Sequence, residues 1–212
     1  MQDTDRASVS HEVTSLAQLE ELYGSPKQIS IDKEVSYISE HYKTFIEASP
    51  FFALSTVAEE GTDCSPRGDP AGFVKVIDEK TIEFADRRGN NRIDSLRNIV
   101  QDPRVSLLFM IPGVGETIRI NGKARISTDP ARLEAHQMEG KLPKSVISVT
   151  VDTIYFQCQK AIYRSGLWTE EAKVDRKTIP SAGQMAQSLS KVEFDGEAYD
   201  KAYPARIKES AY

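Results

Sequence analysis

The sequence predicts a mainly β domain, an antiparallel barrel with flanking helices, on three observations. Six runs between residues 51 and 158 carry the two-residue alternation of half-buried strands. Gly, Pro, Asp and Asn clusters separate them. Only two helical patterns interrupt the runs, too few for a parallel sheet, in which each pair of strands needs a crossover helix.

Helical patterning precedes the strands. Ser15 followed three positions later by Gln18 forms a capping box, after which Leu16, Leu19, Leu22 and Tyr23 share one face until Gly24-Ser25-Pro26 ends the helix. A second pattern starts near Asp32 and repeats Val35, Ile38, Tyr42, Phe45 and Ile46 at spacings of three and four, closed by Ser49-Pro50. Residues 1–49 are therefore expected to form a helical cover.

The expected strands run at about 51–58, 64–77, 80–86, 104–111, 116–127 and 146–158. In the fifth, Ile118, Ile120, Gly122, Ala124 and Ile126 face one way, and Thr117, Arg119, Asn121, Lys123 and Arg125 the other. In the sixth, Ile147, Val149 and Val151 share one parity whereas Ile154, Phe156 and Cys158 share the opposite one, so a bulge near Asp152-Thr153 is expected. One interposed helix spans about Arg92 to Val100; the other starts at Asp129-Pro130 and runs towards Gly140. Residues 50–169 form the expected barrel domain. Residues 170–212 are polar, with helical stretches at about 181–190 and 196–209, and are expected to form an arm that packs on the barrel or on a partner subunit.

Composition narrows the function classes. The 212 residues are 39% hydrophobic, enough to build a core, and 27 basic against 32 acidic side chains leave a formal charge of -5, which repels a nucleic-acid backbone. No apolar run approaches the roughly 20 residues of a membrane span, and none near the N-terminus has signal-peptide length, so a cytoplasmic address is expected. Cys64 and Cys158 form no CxxC pair, and His11, His41 and His136 are scattered, so neither a disulfide framework nor a metal site is indicated. GxxxxGK[ST], HExxH, GxSxG and a complete GxGxxG are missing.

Two polar segments remain. Cys64-Ser65-Pro66-Arg67-Gly68-Asp69-Pro70 sets turn residues and an arginine between apolar stretches, and Asp86-Arg87-Arg88-Gly89-Asn90-Asn91-Arg92 leads into a helix. Each also reads as a plain turn or a solvated surface. The sign of the charge favours more: Asp86 to Arg97 holds four arginines and two aspartates, a local +2 in an acidic chain. A helix start with free N–H groups and added guanidinium donors is an anion site, so a phosphorylated ligand is expected there.

At these residues the sequence resembles the pyridoxamine 5'-phosphate oxidase-like, FMN-binding split-barrel superfamily, and within it a bacterial subgroup marked by four ordered motifs. SPRGDPxGFV matches at Ser65 to Val74, GN(N/R)RxDSLRNI at Gly89 to Ile99, GETxRxNGxARIS at Gly115 to Ser127 and KAxxRSxLW at Lys160 to Trp168. The resemblance implies a six-stranded Greek-key split barrel that forms a homodimer, with FMN in grooves between subunits. It implies cofactor contacts from Arg67, Gly68, Asp69, Val74 and Lys75, from the backbone of Ala85 and Asp86, and from Ser95. Asn90, Asn91 and Arg92 stand where the vitamin B6 oxidases carry a Ser-Arg-Lys phosphate grip; Arg67 or Arg88 is expected to replace the missing charge. Thr117 matches a glutamine position that touches the ring.

Lys160, Arg164, Ser165 and Trp168 become candidate substrate-pocket residues, Trp168 serving either there or as a dimer anchor. No arginine is followed two positions later by histidine, the element with which the oxidases hold pyridoxamine phosphate, so vitamin B6 oxidation is not expected. The implied activity is an FMN-dependent oxidoreductase passing hydride between a small organic substrate or NAD(P)H and an acceptor, with no catalytic side chain and no metal. A flavin-binding protein without turnover, or a split barrel that uses haem or a deazaflavin, is the alternative.

Overall fold

In a computed structural model that describes residues 11–212, the chain divides into two compact units, the second beginning at Glu34. The first carries α1, Leu16–Tyr23, and α2, Gln28–Asp32. The capping box of α1 forms: Gln18 N donates to Ser15 Oγ at 3.3 Å, and Ser15 N donates to Gln18 Oε1 at 3.2 Å. Part of the expected 1–49 cover, residues 1–10, lies outside the described residues.

The second unit opens with α3, Glu40–Ala48, which starts later than the periodicity predicts. Ser39 caps it by accepting from Tyr42 N at 3.3 Å. Val35 is held extended instead, exchanging backbone hydrogen bonds with Ile154 at 3.1 and 2.8 Å. Ile46 is fully buried and carries α3 onto the barrel.

The barrel has seven strands rather than six: β1 Phe51–Ala58, β2 Gly61–Gly68, β3 Lys75–Asp78, β4 Thr81–Asp86, β5 Arg104–Met110, β6 Thr117–Ser127 and β7 Ser145–Gln157. All pair antiparallel in the order β2-β1-β5-β6-β7-β4-β3. The single strand expected at 64–77 is two, because residues 69–74 leave the sheet after Gly68. Phe73 and Val74 then turn inward, and Phe73 stacks on Phe52 with ring centroids 5.7 Å apart. Among the described residues no ladder joins the edge strands β2 and β3, so the curled sheet is a barrel split along that line.

The inner face is apolar, with Phe52, Leu54, Phe109, Ile120, Ile147 and Ile154 all fully buried. Each such side chain contributes roughly 1.5–3 kcal/mol relative to exposure. The expected bulge is present: Asn121 pairs with Thr153 and Gly122 with Val151, leaving Asp152 as the extra residue that switches the parity of β7.

Helices then cover the barrel. α4, Asp94–Gln101, packs Ser95 and Ile99 inward, and Asn98 Nδ2 donates to Thr56 Oγ1 of β1 at 3.1 Å. α5, Pro130–Ala135, is capped by Asp129 and ends before the expected Gly140, at His136. After β7 come α6, Lys160–Ser165, and an arm of α7, Ala182–Leu189, and α8, Gly196–Ser210. α7 and α8 cross at Gly183 and Gly196, where a Cβ on either would overlap the carbonyl oxygen of the other. Among the described residues no helix is long and apolar enough to cross a membrane.

The segment from α5 to His136 covers the outer side of β4 through a buried polar contact. Arg132 Nη1 donates to Glu83 Oε1 at 2.7 Å, and the side chain of His136 is 1% exposed with Nε2 3.7 Å from Glu83 Oε2. Burial first, then the nearby charges of Lys75 and Arg87, depress the His136 pKa against the opposing pull of Glu83. The fold therefore holds the neutral imidazole, while the unfolded chain takes up a proton near pH 6.5. Stability is full above that pH and declines as pH falls below it, down to the depressed folded value. Urea midpoints at pH 7.5 and 5.5 are expected to show this decline, and His136→Gln to reduce it; an unchanged slope in that variant would remove His136 as its source.

Candidate functional site

The inward row of β2 is the exception to an apolar inner face. Asp63, Ser65 and Arg67 lie opposite Thr56, Leu54 and Phe52 of β1, at the edge where the core ends and α4 crosses. Ser95 Oγ donates to Asp63 Oδ2 at 2.5 Å and stands 2.9 Å from Ser65 Oγ, which ties α4 to the strand. Arg67 Nη1 donates to Asp86 Oδ1 at 2.6 Å, both side chains being under one-fifth exposed. Its buried Nε has no partner, so Asp86 positions a guanidinium with donors to spare.

Between β4 and α4 the chain makes an irregular loop. Asn91 and Ile93 have φ of 59° and 55°, left-handed values that are strained for a β-branched residue such as Ile93. Asn90 Oδ1 accepts from Arg92 N at 3.0 Å, and no side chain caps the first turn of α4. The loop, the row on β2 and the start of β7 enclose a cleft of about 340 Å³. Arg67, Arg88, Arg92 and Lys144 bring positive charge to it, and Asp63, Asp86 and Asp94 negative charge. Arg92 Nε pairs with Asp94 Oδ2 at 2.8 Å and its side chain is 75% exposed. Arg88 makes no ion pair or hydrogen bond with the described residues.

Of the sequence-predicted residues, Arg67, Asp86, Arg88, Asn90, Asn91, Arg92 and Ser95 line this one cleft. The others stand elsewhere. Lys75 Nζ donates to Ala135 O, binding β3 to α5; Val74 is packed in the barrel core, and Ala85 is buried on the same side of β4 as Glu83. Gly68 ends β2 opposite Phe51. Asp69 accepts from Arg87 Nε at 2.6 Å and from the Tyr212 hydroxyl at 2.6 Å, a bond that raises the phenol pKa. Thr117 is buried on the outer side of β6, opposite Gln157. Lys160, Arg164 and Ser165 follow on α6, and Trp168 Nε1 donates to Val114 O at 2.8 Å. These residues lie past the far end of β7 from Ser145, which lines the cleft, so 12 residue steps, roughly 40 Å of extended strand, separate the two groups along the chain.

Sequence reasoning missed Asp63, Ser65, Arg87, Lys144 and Ser145 as lining residues. Lys144 and Ser145 carry no local signal. Only the pairing of Asp86 with Ser145 brings that loop beside the arginines. Among the described residues no group of three or more potential metal ligands occurs.

Comparison with known proteins places the chain. No curated protein matches its sequence significantly. Among solved structures, HupZ of Group A Streptococcus is 22% identical over 55% of this chain and 91% of its own, with a TM-score of 0.45. A putative pyridoxamine 5'-phosphate oxidase of Lactobacillus delbrueckii is 15% identical over 57% of this chain and 95% of its own, at 0.45. An FAD-binding protein of Mycobacterium smegmatis is 17% identical over 58% and 97%, at 0.40. The family model of pyridoxamine 5'-phosphate oxidase matches residues 38–158, from the approach to α3 through the whole barrel to the end of β7, and the chain belongs to that family.

Proposed function

We propose that the protein is a flavin-dependent oxidoreductase that binds FMN and works as a homodimer. The observation that carries this reading is the cleft, where Arg67, Arg88, Asn91, Lys144 and an uncapped helix start converge on a volume that takes the phosphate end of a nucleotide. The donor set suits a phosphate monoester. Guanidinium forks and helix N–H groups match its oxygens, and Arg67 is already held by Asp86 with a buried Nε unpaired.

When bound, FMN supplies the hydride and electron chemistry. The chain's part is to hold and orient it. Arg67 and Arg88 would anchor its phosphate, with the start of α4 beside them in the same cleft. One chain does not complete the site, because Thr117 and the Lys160–Trp168 segment stand beyond the other end of β7. In a dimer that joins the outer faces of the two sheets, where Phe51, Ala53, Leu108 and Met110 are partly exposed, the second copy supplies those residues. Lys160 and Arg164 then favour an anionic substrate.

The test is a visible spectrum of the purified protein, followed by NADH or NADPH without oxygen. A yellow protein that bleaches is expected. A yellow protein that does not bleach with any donor favours flavin binding without turnover, and a colourless one that takes up no FMN overturns the reading. Within the cleft, Arg92→Ala is expected to weaken FMN by no more than about 1 kcal/mol, since Arg92 is exposed and already paired with Asp94. Fluorescence titration of FMN checks it, and a loss above tenfold would make Arg92 a principal phosphate contact.

A further inference from the structure

The ends of β2 and β4 are joined by side chains where, among the described residues, no ladder joins them. Arg67 pairs with Asp86 at 2.6 Å, and two residues further on Asp69 pairs with Arg87 at 2.6 Å, with the signs reversed. The first pair belongs to the cleft. The second stands behind it: Asp69 does not line the cleft, whereas Arg87 does, between Asp86 and Arg88, which line it too.

Asp69 is the more deeply buried of the second pair, with its side chain 3% exposed. Its backbone N–H is bound to Pro50 O at 3.1 Å, and both carboxylate oxygens are engaged: Oδ2 accepts from Arg87 Nε, and Oδ1 from the Tyr212 hydroxyl at 2.6 Å. A buried carboxylate depends on such donors, because losing one leaves its charge undercompensated. Tyr212 follows the end of α8 by two residues, so one carboxylate joins the C-terminal arm to the loop of the cleft. The Arg87 guanidinium also lies 5.6 Å from the Tyr212 ring centroid, and a terminal oxygen of Tyr212 accepts from Lys141 Nζ at 3.0 Å. Arg87 Nη1 donates to His136 O at 2.9 Å, so Arg87 is held by the end of β2, by the segment after α5 and by the arm.

We propose that Asp69 is a positioning residue for the phosphate site and that Tyr212 acts through it, so that docking of the C-terminal arm and binding of the cofactor strengthen one another. The proposal rests on the first cleft being the FMN phosphate site. With Tyr212 docked, Asp69 and the ring hold Arg87. Arg87 in turn fixes the chain on either side of it, from which Asp86 holds Arg67 and Arg88 reaches the cleft. The linkage is reciprocal: by whatever factor the docked arm raises FMN affinity, bound FMN raises the docking equilibrium. Charge alone predicts the opposite sign for Asp69. A carboxylate behind an anion site repels the anion, so if Asp69 acted only through its field, its neutralisation would tighten binding.

The probe is FMN, titrated by fluorescence into the full chain. Tyr212→Phe removes the hydroxyl and keeps the ring beside Arg87; it is expected to weaken FMN by about threefold to tenfold, the scale of one hydrogen bond. Asp69→Asn is expected to weaken FMN at least as much, and the double variant no more than Asp69→Asn alone, since both substitutions act through one carboxylate. Amide hydrogen exchange supplies a readout that a general loss of stability does not move. FMN is expected to slow exchange at the C-terminal end of α8 in the unaltered protein and to lose that effect in Tyr212→Phe and in Asp69→Asn. Tyr212→Phe carries the test by itself if Asp69→Asn does not fold. Unchanged affinity in Tyr212→Phe, tighter binding in Asp69→Asn, additive losses in the double variant, or exchange in the arm indifferent to FMN would each overturn the coupling while leaving the FMN site intact. An unaltered protein that takes up no FMN would overturn the site and the coupling together.

Discussion

Arg67→Ala is expected to lower FMN affinity by about 100-fold or more, the largest effect of any single cleft substitution. Charge-assisted hydrogen bonds contribute roughly 1.5–3 kcal/mol each, and Arg67 offers its phosphate contacts from a position that Asp86 has already fixed. Removing it has a second consequence. Asp86, 17% exposed, is left without its partner at the mouth of an anion site, so a repulsive charge replaces an attractive one. Arg67→Lys keeps the charge without the fork and should fall between the two. Asp86→Asn separates the contributions: it frees the guanidinium while removing the negative charge, and is expected to keep FMN affinity within severalfold of the unaltered protein. Affinity in Arg67→Ala equal to that of Arg92→Ala, at matched thermal stability, would show that the clamp is elsewhere.

The contrast between Arg67 and Arg92 also shows what the sequence could reveal. Local charge sign located the 86–92 loop, and the helix that follows it, because both signals lie within one stretch of chain. The resemblance sets Arg92 in the phosphate-grip position, but spacing alone does not show that Arg92 spends its guanidinium on Asp94 in solvent. Arg67 owes its burial to long-range pairing of β1 with β2 and to the helix laid over both. Lys144 carries no local signal for the same reason. Charge in a loop has meaning only after β7 and β4 have been zipped together.

Fold boundaries failed where polarity and periodicity conflicted. The 64–77 stretch looked continuous because strand-like residues recur across it, whereas Asp69-Pro70 takes the chain out of the sheet and the inward row before it is polar. The second helix was extended backwards through Val35 and Ile38, whose apolar spacing fits a helix but whose burial comes from packing against the barrel. By contrast, the parity switch of β7 was legible, since a bulge is the economical way to keep two apolar sets of opposite parity on one face.

That bulge is where the largest loss of stability is expected. Gly122 pairs with Val151 beside the extra residue Asp152, and a Cβ added to it would overlap the carbonyl oxygen of Thr150 and press on Val149 Cγ1 at 3.1 Å. The obstacle is backbone, in the most extensively paired strands of the barrel, so no side-chain rotation relieves it. Either the β6–β7 ladder opens or the bulge moves, and a moved bulge turns part of β7 over, exposing residues now in the core. Gly122→Ala is therefore expected to cost about 3 kcal/mol or more, above the range of ordinary overpacking. Gly68→Ala is the control, because its Cβ would meet Pro50 O at 3.3 Å, a contact that a small shift at the sheet edge relieves. Urea denaturation should separate the two by at least about 2 kcal/mol. If Gly122→Ala unfolds at the midpoint of the unaltered protein, the bulge does not hold the strands in register.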